Sequence, residues 1–463
     1  MEKNVATSTP WSRIKLFFTF FDARWEDLTK ENWAKTVYSD FSAGLIVAMT
    51  AIPMAMGFAI AMGMRPEHGI IAGAMACIIG RTFGGSKYQV YGPTAAFIPL
   101  IAALIYKYGP ASGGNFETAH GFLVLVSMLA GLILVILGIS GAGKYAKLVP
   151  NSIIVGFTVG IAAAIAITNF KDILGLKAFS DLVGTHSGFW AKTRTMFENL
   201  DKINLWALFI GVLTFAVTKT LLRISIFIPG PVVAMGLATV LSATWLADKN
   251  IILVRDMFGS IPNNFFVLTL PTLPGMTSGV LLDMLYFVGA IVFISGVESV
   301  LCSSMADRLS GNKGTLFNPD KEFFGQGMVQ IFTPLVQGFP CTGALARTAT
   351  SIKAGAKTPL AGYFKAVLKL TLAFYLAQYL ELIPMACIGG ILVWVASNMI
   401  KPSEIREVKH LGKFEFSMMM YTAVMVPMTD FMTGVLSALI IYYVVKKFYS
   451  RKQTPVKQLV NDI

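Results

Sequence analysis

The stretch Gln337–Ile352, QGFPCTGALARTATSI, decides how this chain is read. It lies among hydrophobic runs, yet it opens on Gly338, Phe339 and Pro340, continues through small residues from Cys341 to Ala344, and sets a cation, Arg347, where helical character resumes. Such a segment cannot cross lipid unaided. Non-helical backbone at membrane depth leaves N–H and C=O groups unpaired unless protein or a wet cavity receives them, so a cavity is expected here. Ser86–Leu100, SKYQVYGPTAAFIPL, has the same form in the first half of the chain: an extended-looking Tyr88–Tyr91 segment, Gly92-Pro93, then Thr94, Ala95 and Ala96 entering a helical run. Interrupted spans in corresponding places of two halves point to a transporter binding site. The expected arrangement is two half-helices whose N-termini face each other near the bilayer midplane. Each N-terminus carries roughly half a positive charge; with Arg347 between them, an anion is the ligand implied.

Composition places the chain in the membrane. Over 463 residues, 55% are hydrophobic and 14% charged, and the mean hydropathy is +0.65, which is outside the soluble range. At roughly 20 apolar residues per span, about a dozen or more helices fit. The formal charge of +13 does not imply nucleic acid, because Lys and Arg cluster between alternate spans as topology signals. That pattern puts both termini in the cytoplasm of a multi-pass protein of the plasma (inner) membrane and makes the span number even. Residues 1–39, polar but carrying Trp11, Phe17, Phe18, Phe20, Phe21 and Trp25, read as an interfacial segment lying on the lipid bilayer. Cys77, Cys302, Cys341 and Cys387 are scattered with no CxxC pair and read as small buried residues. His68, His120, His186 and His410 are spaced too widely for a metal site. With no nucleophile elbow, P-loop or paired catalytic carboxylates, neither an enzyme nor an ATP-driven pump is expected, and no cofactor beyond a possible co-transported proton or Na+.

The expected spans are 40–63, with a break at Pro53 and Gly57, then about 68–84, the Gly92-Pro93 half-helix to about 106, 119–140, 148–168, 203–222 and 231–247. A connection, 248–278, separates the halves. The second half runs 281–311, with Glu298 inside the membrane, then about 322–337, the Arg347 half-helix to about 354, 359–380, 384–400, 415–429 and 431–449. The fold expected is an all-α polytopic membrane protein of fourteen spans, with repeats at 40–247 and 279–449 and a cytoplasmic tail at 450–463. Seven spans per half, an odd number, force the second half to insert upside down, and inverted repeats place substrate at their interface.

DFSAGLIVAMTAIPMAMGFAIAMGMRPEHGI, FGGSKYQVYGPTAAF, GVESVLCSSMADRLSG, DKEFFGQG and GFPCTGALARTATSIKAGAKTPLAG resemble, in this order, the membrane domain of the SulP anion transporters, the family that includes prestin. The likeness covers about residues 35–450, and the last stretch is the most specific. It implies the seven-plus-seven inverted repeat of the uracil permease fold, with spans one to four and eight to eleven as a transport core against a gate made of the others. It also implies a homodimer. Family members usually continue into a cytosolic STAS domain, whereas this sequence ends at Ile463, so the contacts of such a domain are not expected here. After Pro53, where relatives often carry Gln or Glu, stands Met54; a coupling or ligand role there is expected to be lost or relocated.

The substrate-binding set read from this is Arg347; Gly92, Pro93, Thr94 and Ala95 before the first half-helix; Thr342, Gly343, Ala344 and Leu345 before the second; and Phe58 and Tyr91 as cavity walls. A guanidinium suits an oxyanion because its donors form a fixed fork, and a charge at mid-span costs on the order of 3 kcal/mol. Arg347 is otherwise a surface anchor or a structural partner of Glu298. Glu298 either carries a coupled proton or Na+ or holds the core together. Asp307 and Arg308 read as topology or local pairing. The function expected is secondary transport of a small inorganic anion, sulfate first and bicarbonate or chloride next, by elevator-like alternating access. The GALARTATSIKAGAKTP run also resembles bacterial members that carry C4-dicarboxylates, which is the alternative; a nucleobase carrier of the same fold and a non-transporting membrane motor are the readings from other classes.

Overall fold

The computed structural model describes residues 15–459 apart from 16, 177–188, 263–266, 276 and 430; the expectations placed on residues 1–14 and 460–463 lie outside the described residues. In the first half the spans are α1 (Trp33–Ala61), α2 (Pro66–Phe83), a two-residue strand β1 (Tyr91–Gly92) leading through a short 3₁₀ turn into α3 (Ile98–Tyr108), α4 (Phe116–Ser140), α5 (Asn151–Ile173), α6 (Leu205–Ile224) and α7 (Gly230–Ala243). In the second half they are α8 (Ser278–Ser310), α9 (Pro319–Leu335), a strand β2 (Thr342–Gly343) leading into α10 (Leu345–Lys353), α11 (Leu360–Leu380), α12 (Met385–Met399), α13 (Lys413–Met428) and α14 (Phe431–Leu459). Fourteen spans are thus described, seven per half, with the strand-interrupted one third in each. Local chemistry sets several ends. Asn115, Asn204, Thr277 and Asn318 accept backbone N–H groups at the starts of α4, α6, α8 and α9, as side-chain caps do.

Two local expectations are corrected. No break occurs at Pro53 and Gly57: α1 runs as one helix through both. Proline inside a membrane helix is tolerated where neighbours re-satisfy the freed backbone, and Pro53 is buried. The first span also starts at Trp33, ahead of Asp40. The residues before it are folded onto the protein: Phe17 is buried with its ring 5.1 Å from Phe324, Asp22 joins Arg24 (2.8 Å) to Lys321 (2.7 Å), and Asp27 holds Lys87 at 2.6 Å. Burial works to raise the Asp22 carboxyl, but hydrogen bonds and charge from Arg24 and Lys321 outweigh it and hold the group below its usual value.

The packing carries the repeat that sequence identity does not. Exchanging span k with span k+7 turns each main contact into another that is present: α4 on α9 becomes α11 on α2, α1 on α11 becomes α8 on α4, and α5 on α13 becomes α12 on α6. The strands pair with each other antiparallel, Tyr91 opposite Gly343 and Gly92 opposite Thr342, as the two copies of an upside-down repeat must. Helices α1–α4 and α8–α11 pack mainly among themselves, as do α5–α7 and α12–α14. Close approach within the first group relies on glycine. A Cβ on Gly131 of α4 would lie 2.6 Å from the Gly327 carbonyl of α9, and one on Gly327 would lie 2.6 Å from that of Gly131. Replacing Gly131 with Val overpacks this crossing and is expected to destabilise the protein by roughly 1–3 kcal/mol. Gly236→Val on α7, where a new Cβ meets nothing within 4 Å, is the control and stays within about 1 kcal/mol; thermal unfolding in detergent separates the two.

Candidate functional site

The centre of the first helix group is the β1–β2 ladder, and a buried polar network holds it at membrane depth. The Ala344 N–H donates to the Val90 carbonyl (2.9 Å) and the Val90 N–H to the Thr348 hydroxyl (2.8 Å). The Cys341 carbonyl accepts from the side-chain amides of Gln330 (2.6 Å) and Gln326. Gln89 donates to Ser299 (2.7 Å) and to Glu322 (2.8 Å) and accepts from Ser303 (2.6 Å). Glu322 is fully buried and also receives the Tyr91 hydroxyl (2.8 Å), the Ser299 hydroxyl (2.5 Å) and the Gly85 N–H (2.9 Å). The ladder is thus answered by its partner strand and by buried side chains, as backbone in lipid requires. Gly343 is needed for this, since a Cβ there would lie 2.6 Å from the Gln89 amide. Gly92, at φ +155°, adopts a backbone closed to L side chains and passes 3.0 Å, measured from an added Cβ, from a terminal nitrogen of Arg347.

Both half-helices begin bare. Neither Thr94, before the 3₁₀ turn that leads into α3, nor Ala344, before α10, caps its helix with a side chain, so first-turn N–H groups are left for another acceptor. Ala95 and Ala344 are each 6% exposed. Arg347, 5% exposed, donates through Nη2 to the Pro93 carbonyl, which ties the second half-helix to the turn before the first. Its other terminal nitrogen is buried with no hydrogen-bond partner. Glu298 is half-buried, and its carboxylate accepts from the Thr94 hydroxyl at 3.1 Å. It forms no ion pair with Arg347. Together with Leu345, Ile294 and Leu301, Glu298 lines a small cleft that is closed on the far side by Ile153 and Phe157 of α5 and Val435 of α14. The cleft therefore lies between the two helix groups.

The structure thus brings Gly92, Pro93, Thr94, Ala95, Thr342, Gly343, Ala344, Leu345, Arg347 and Glu298 to one place. Tyr91 adjoins this place through its backbone, paired with Gly343, but its side chain turns away. Tyr91 is fully buried with its ring against Gly80 and its hydroxyl on Glu322, and Phe58 packs in the apolar core that also takes in Ala95. Arg347 reaches behind the half-helix tips rather than into the cleft. His68 and His120 lie near the starts of α2 and α4; both are buried, their rings 4.9 Å apart, and His120 contacts the Gly338 carbonyl at 3.2 Å, while His186 lies outside the described residues.

Sequence reading passed over Gln89, Glu322, Lys365 and Lys369. The two lysines sit four residues apart on α11, at most 1% exposed. Lys365 donates to the carbonyls of Tyr91 (2.9 Å) and Gly73 (3.0 Å), and Lys369 to that of Gly69 (3.2 Å). The signal was there to be found, since FKAVLKL puts two cations at helical spacing inside an otherwise apolar span.

Comparison with known proteins bears on the family and the fold. The profile of the sulfate permease family matches residues 37–422. The putative sulfate transporter YvdB of Bacillus subtilis is 31% identical over 427 residues, covering 91% of this chain and 75% of that protein. The bicarbonate transporter BicA of a Picosynechococcus species is 26% identical over 393 residues, covering 83% of this chain and 66% of the relative. Among solved structures, the transmembrane domain of a cyanobacterial BicA superposes with a TM-score of 0.75 at 23% identity, covering 88% of this chain and 98% of that one. The murine Slc26a9 anion transporter superposes at 0.81 with 17% identity, covering 96% and 73%. These two likenesses bear on the fold. With the family profile spanning most of its length and its own half-helix architecture intact, the chain belongs to the sulfate permease family and is a multi-pass membrane transporter of small anions.

Proposed function

We propose that this chain is a secondary active transporter of a small inorganic anion, sulfate first and bicarbonate or chloride next, in which the anion binds between the starts of α3 and α10 and is exchanged across the membrane by elevator-like movement of α1–α4 and α8–α11 against the remaining helices. The observation that carries the reading is the buried, unpartnered Arg347 nitrogen beside two uncapped helix N-termini. An uncompensated cation in a dry core is costly, and an anion at the tips relieves it. Three separate sources of positive potential, two helix ends and a guanidinium, act on one spot without any of them needing to move when the ligand arrives. The sulfate preference is supported by the names of the more similar relatives, YvdB among them; bicarbonate follows from BicA.

Glu298 is the coupling residue in this reading. It faces the cleft, and Thr94, its hydrogen-bond partner, stands at the start of the turn that leads into α3, so protonation or Na+ binding there is felt at the anion site. The protein works as a homodimer in the plasma (inner) membrane with both termini in the cytoplasm; the basic clusters between alternate spans support the orientation.

Proteoliposome uptake of radiolabelled sulfate, bicarbonate, succinate and uracil tests the substrate: saturable sulfate uptake is expected, and transport of uracil alone overturns the reading. Arg347→Gln is expected to lower kcat/KM for sulfate at least about tenfold, the equivalent of roughly 1.4 kcal/mol; unchanged transport removes the residue from the site. Glu298→Gln is expected to keep sulfate/sulfate exchange while losing accumulation driven by an imposed proton or Na+ gradient. Loss of neither under either gradient excludes Glu298 from coupling.

A further inference from the structure

Arg347 is not alone behind the half-helix tips. A Cβ on Gly73 of α2 would lie 2.2 Å from the Lys369 ammonium and 3.2 Å from Pro93, and a Cβ on Gly92 would lie 3.0 Å from Arg347 and 3.5 Å from Gly73. Lys365 donates to the Tyr91 carbonyl. Three cations from two helices therefore meet around Gly73 and the Tyr91–Pro93 turn, directly before the tip at Ala95. We infer that Lys365 and Lys369 act with Arg347 to set the charge of the bound ion, so that the site takes a dianionic oxyanion in preference to a monoanion; this rests on the reading of the site given above.

Charge balance carries the inference. None of the three has a carboxylate within 4 Å among the described residues, where the ion pairs involve other groups. The other buried carboxylates engage groups elsewhere: Glu67 pairs with Arg65, and Asp307 accepts from Asn312 and the Phe317 N–H. Asp40 accepts from the Lys357 and Thr358 backbone and from the Thr358 hydroxyl, and Glu322 from Gln89, Tyr91, Ser299 and Gly85. Glu298, held on Thr94, is the carboxylate beside the tips. Cations gathered without an ion-pair partner favour a ligand of higher negative charge over one of lower. The lysines are also short of acceptors: an ammonium has three N–H groups, and Lys369 uses one and Lys365 two. Burying such groups without compensation is unfavourable, and Gly73 on the facing helix leaves the room that the Lys369 ammonium occupies.

The interaction of a fixed cation with a bound ion scales with the charge of that ion. Removing one cation therefore weakens a dianion by the square of the factor by which it weakens a monoanion. Lysines that served only as neutral staples between α11 and α2 would instead change both by the same factor. Dissociation constants of the purified full chain for sulfate, selenate, nitrate and perchlorate, measured by calorimetry, make the distinction. In Lys369→Met, a loss of about tenfold for the monoanions and about a hundredfold for the dianions is expected, and Lys365→Met is to show the same quadratic relation. Equal factors for the two classes overturn the inference. Should neither variant fold, the wild-type chain decides, since sulfate and perchlorate share a tetrahedral shape and differ in charge: sulfate binding tighter is expected, and perchlorate binding as tightly or tighter overturns it. Monoanion binding without sulfate binding defeats the inference and leaves the anion site standing, whereas a wild-type chain that binds none of the four defeats the site itself.

Discussion

The structure depends on one requirement, that backbone which is not helical at membrane depth be satisfied by protein. Two spans break there, and the breaks repair each other. Tyr91–Gly92 and Thr342–Gly343 pair as antiparallel strands, while Gln89, Gln326, Gln330 and Glu322 take the polar groups that the ladder leaves over. Neither break is tenable without the other. The ligand site follows as a by-product, because a helix that starts in mid-membrane from a strand has first-turn N–H groups with no partner, and two such starts fall side by side.

Glycine is what lets the arrangement close. Gly131 and Gly327 bring α4 and α9 into backbone contact, Gly80 receives the Tyr91 ring, Gly69 lets α2 meet the backbone of α1 at Ala55, and Gly73 leaves space for the Lys369 amine of α11. Where lipid offers no hydrophobic drive between helices, close packing through small residues and interhelical hydrogen bonds carries association. Here the same small residues also admit cations to the interior. The helices lined with these contacts are those that frame the half-helices, while exposed aromatic and aliphatic side chains such as Trp206, Phe209, Trp245 and Val240 lie on α6, α7 and the turn after them.

Much of the fold was legible. Hydropathy gave fourteen spans with the interrupted one third in each half, because a span needs about 20 apolar residues and because Gly92-Pro93 and Gly338-Phe339-Pro340 are breaks that no lipid-facing helix carries. Arg347 and Glu298 stood out as charges in apolar surroundings. Other features were not readable. Pro53 looked like a break and is not one, since only enclosure by neighbouring helices decides whether the freed backbone is answered. Tyr91 looked like a cavity wall because it borders Gly92, yet its ring turns to Gly80 and Glu322, a choice made by packing across residues far apart in sequence. Lys365 and Lys369 read as two more cations in a basic chain until α2 was seen to face them with glycines.

The sequence by itself therefore determined the membrane class, the span count, the family and the electropositive character of both broken segments, because these rest on local composition and on one-dimensional spacing. Only the tertiary structure decided that the two breaks pair, that Arg347 reaches across to the Pro93 carbonyl rather than to Glu298, and that three cations converge behind one helix tip. Those are facts about which span lies against which. In an inverted repeat that is set by the packing of segments some 250 residues apart, where no local pattern has a say.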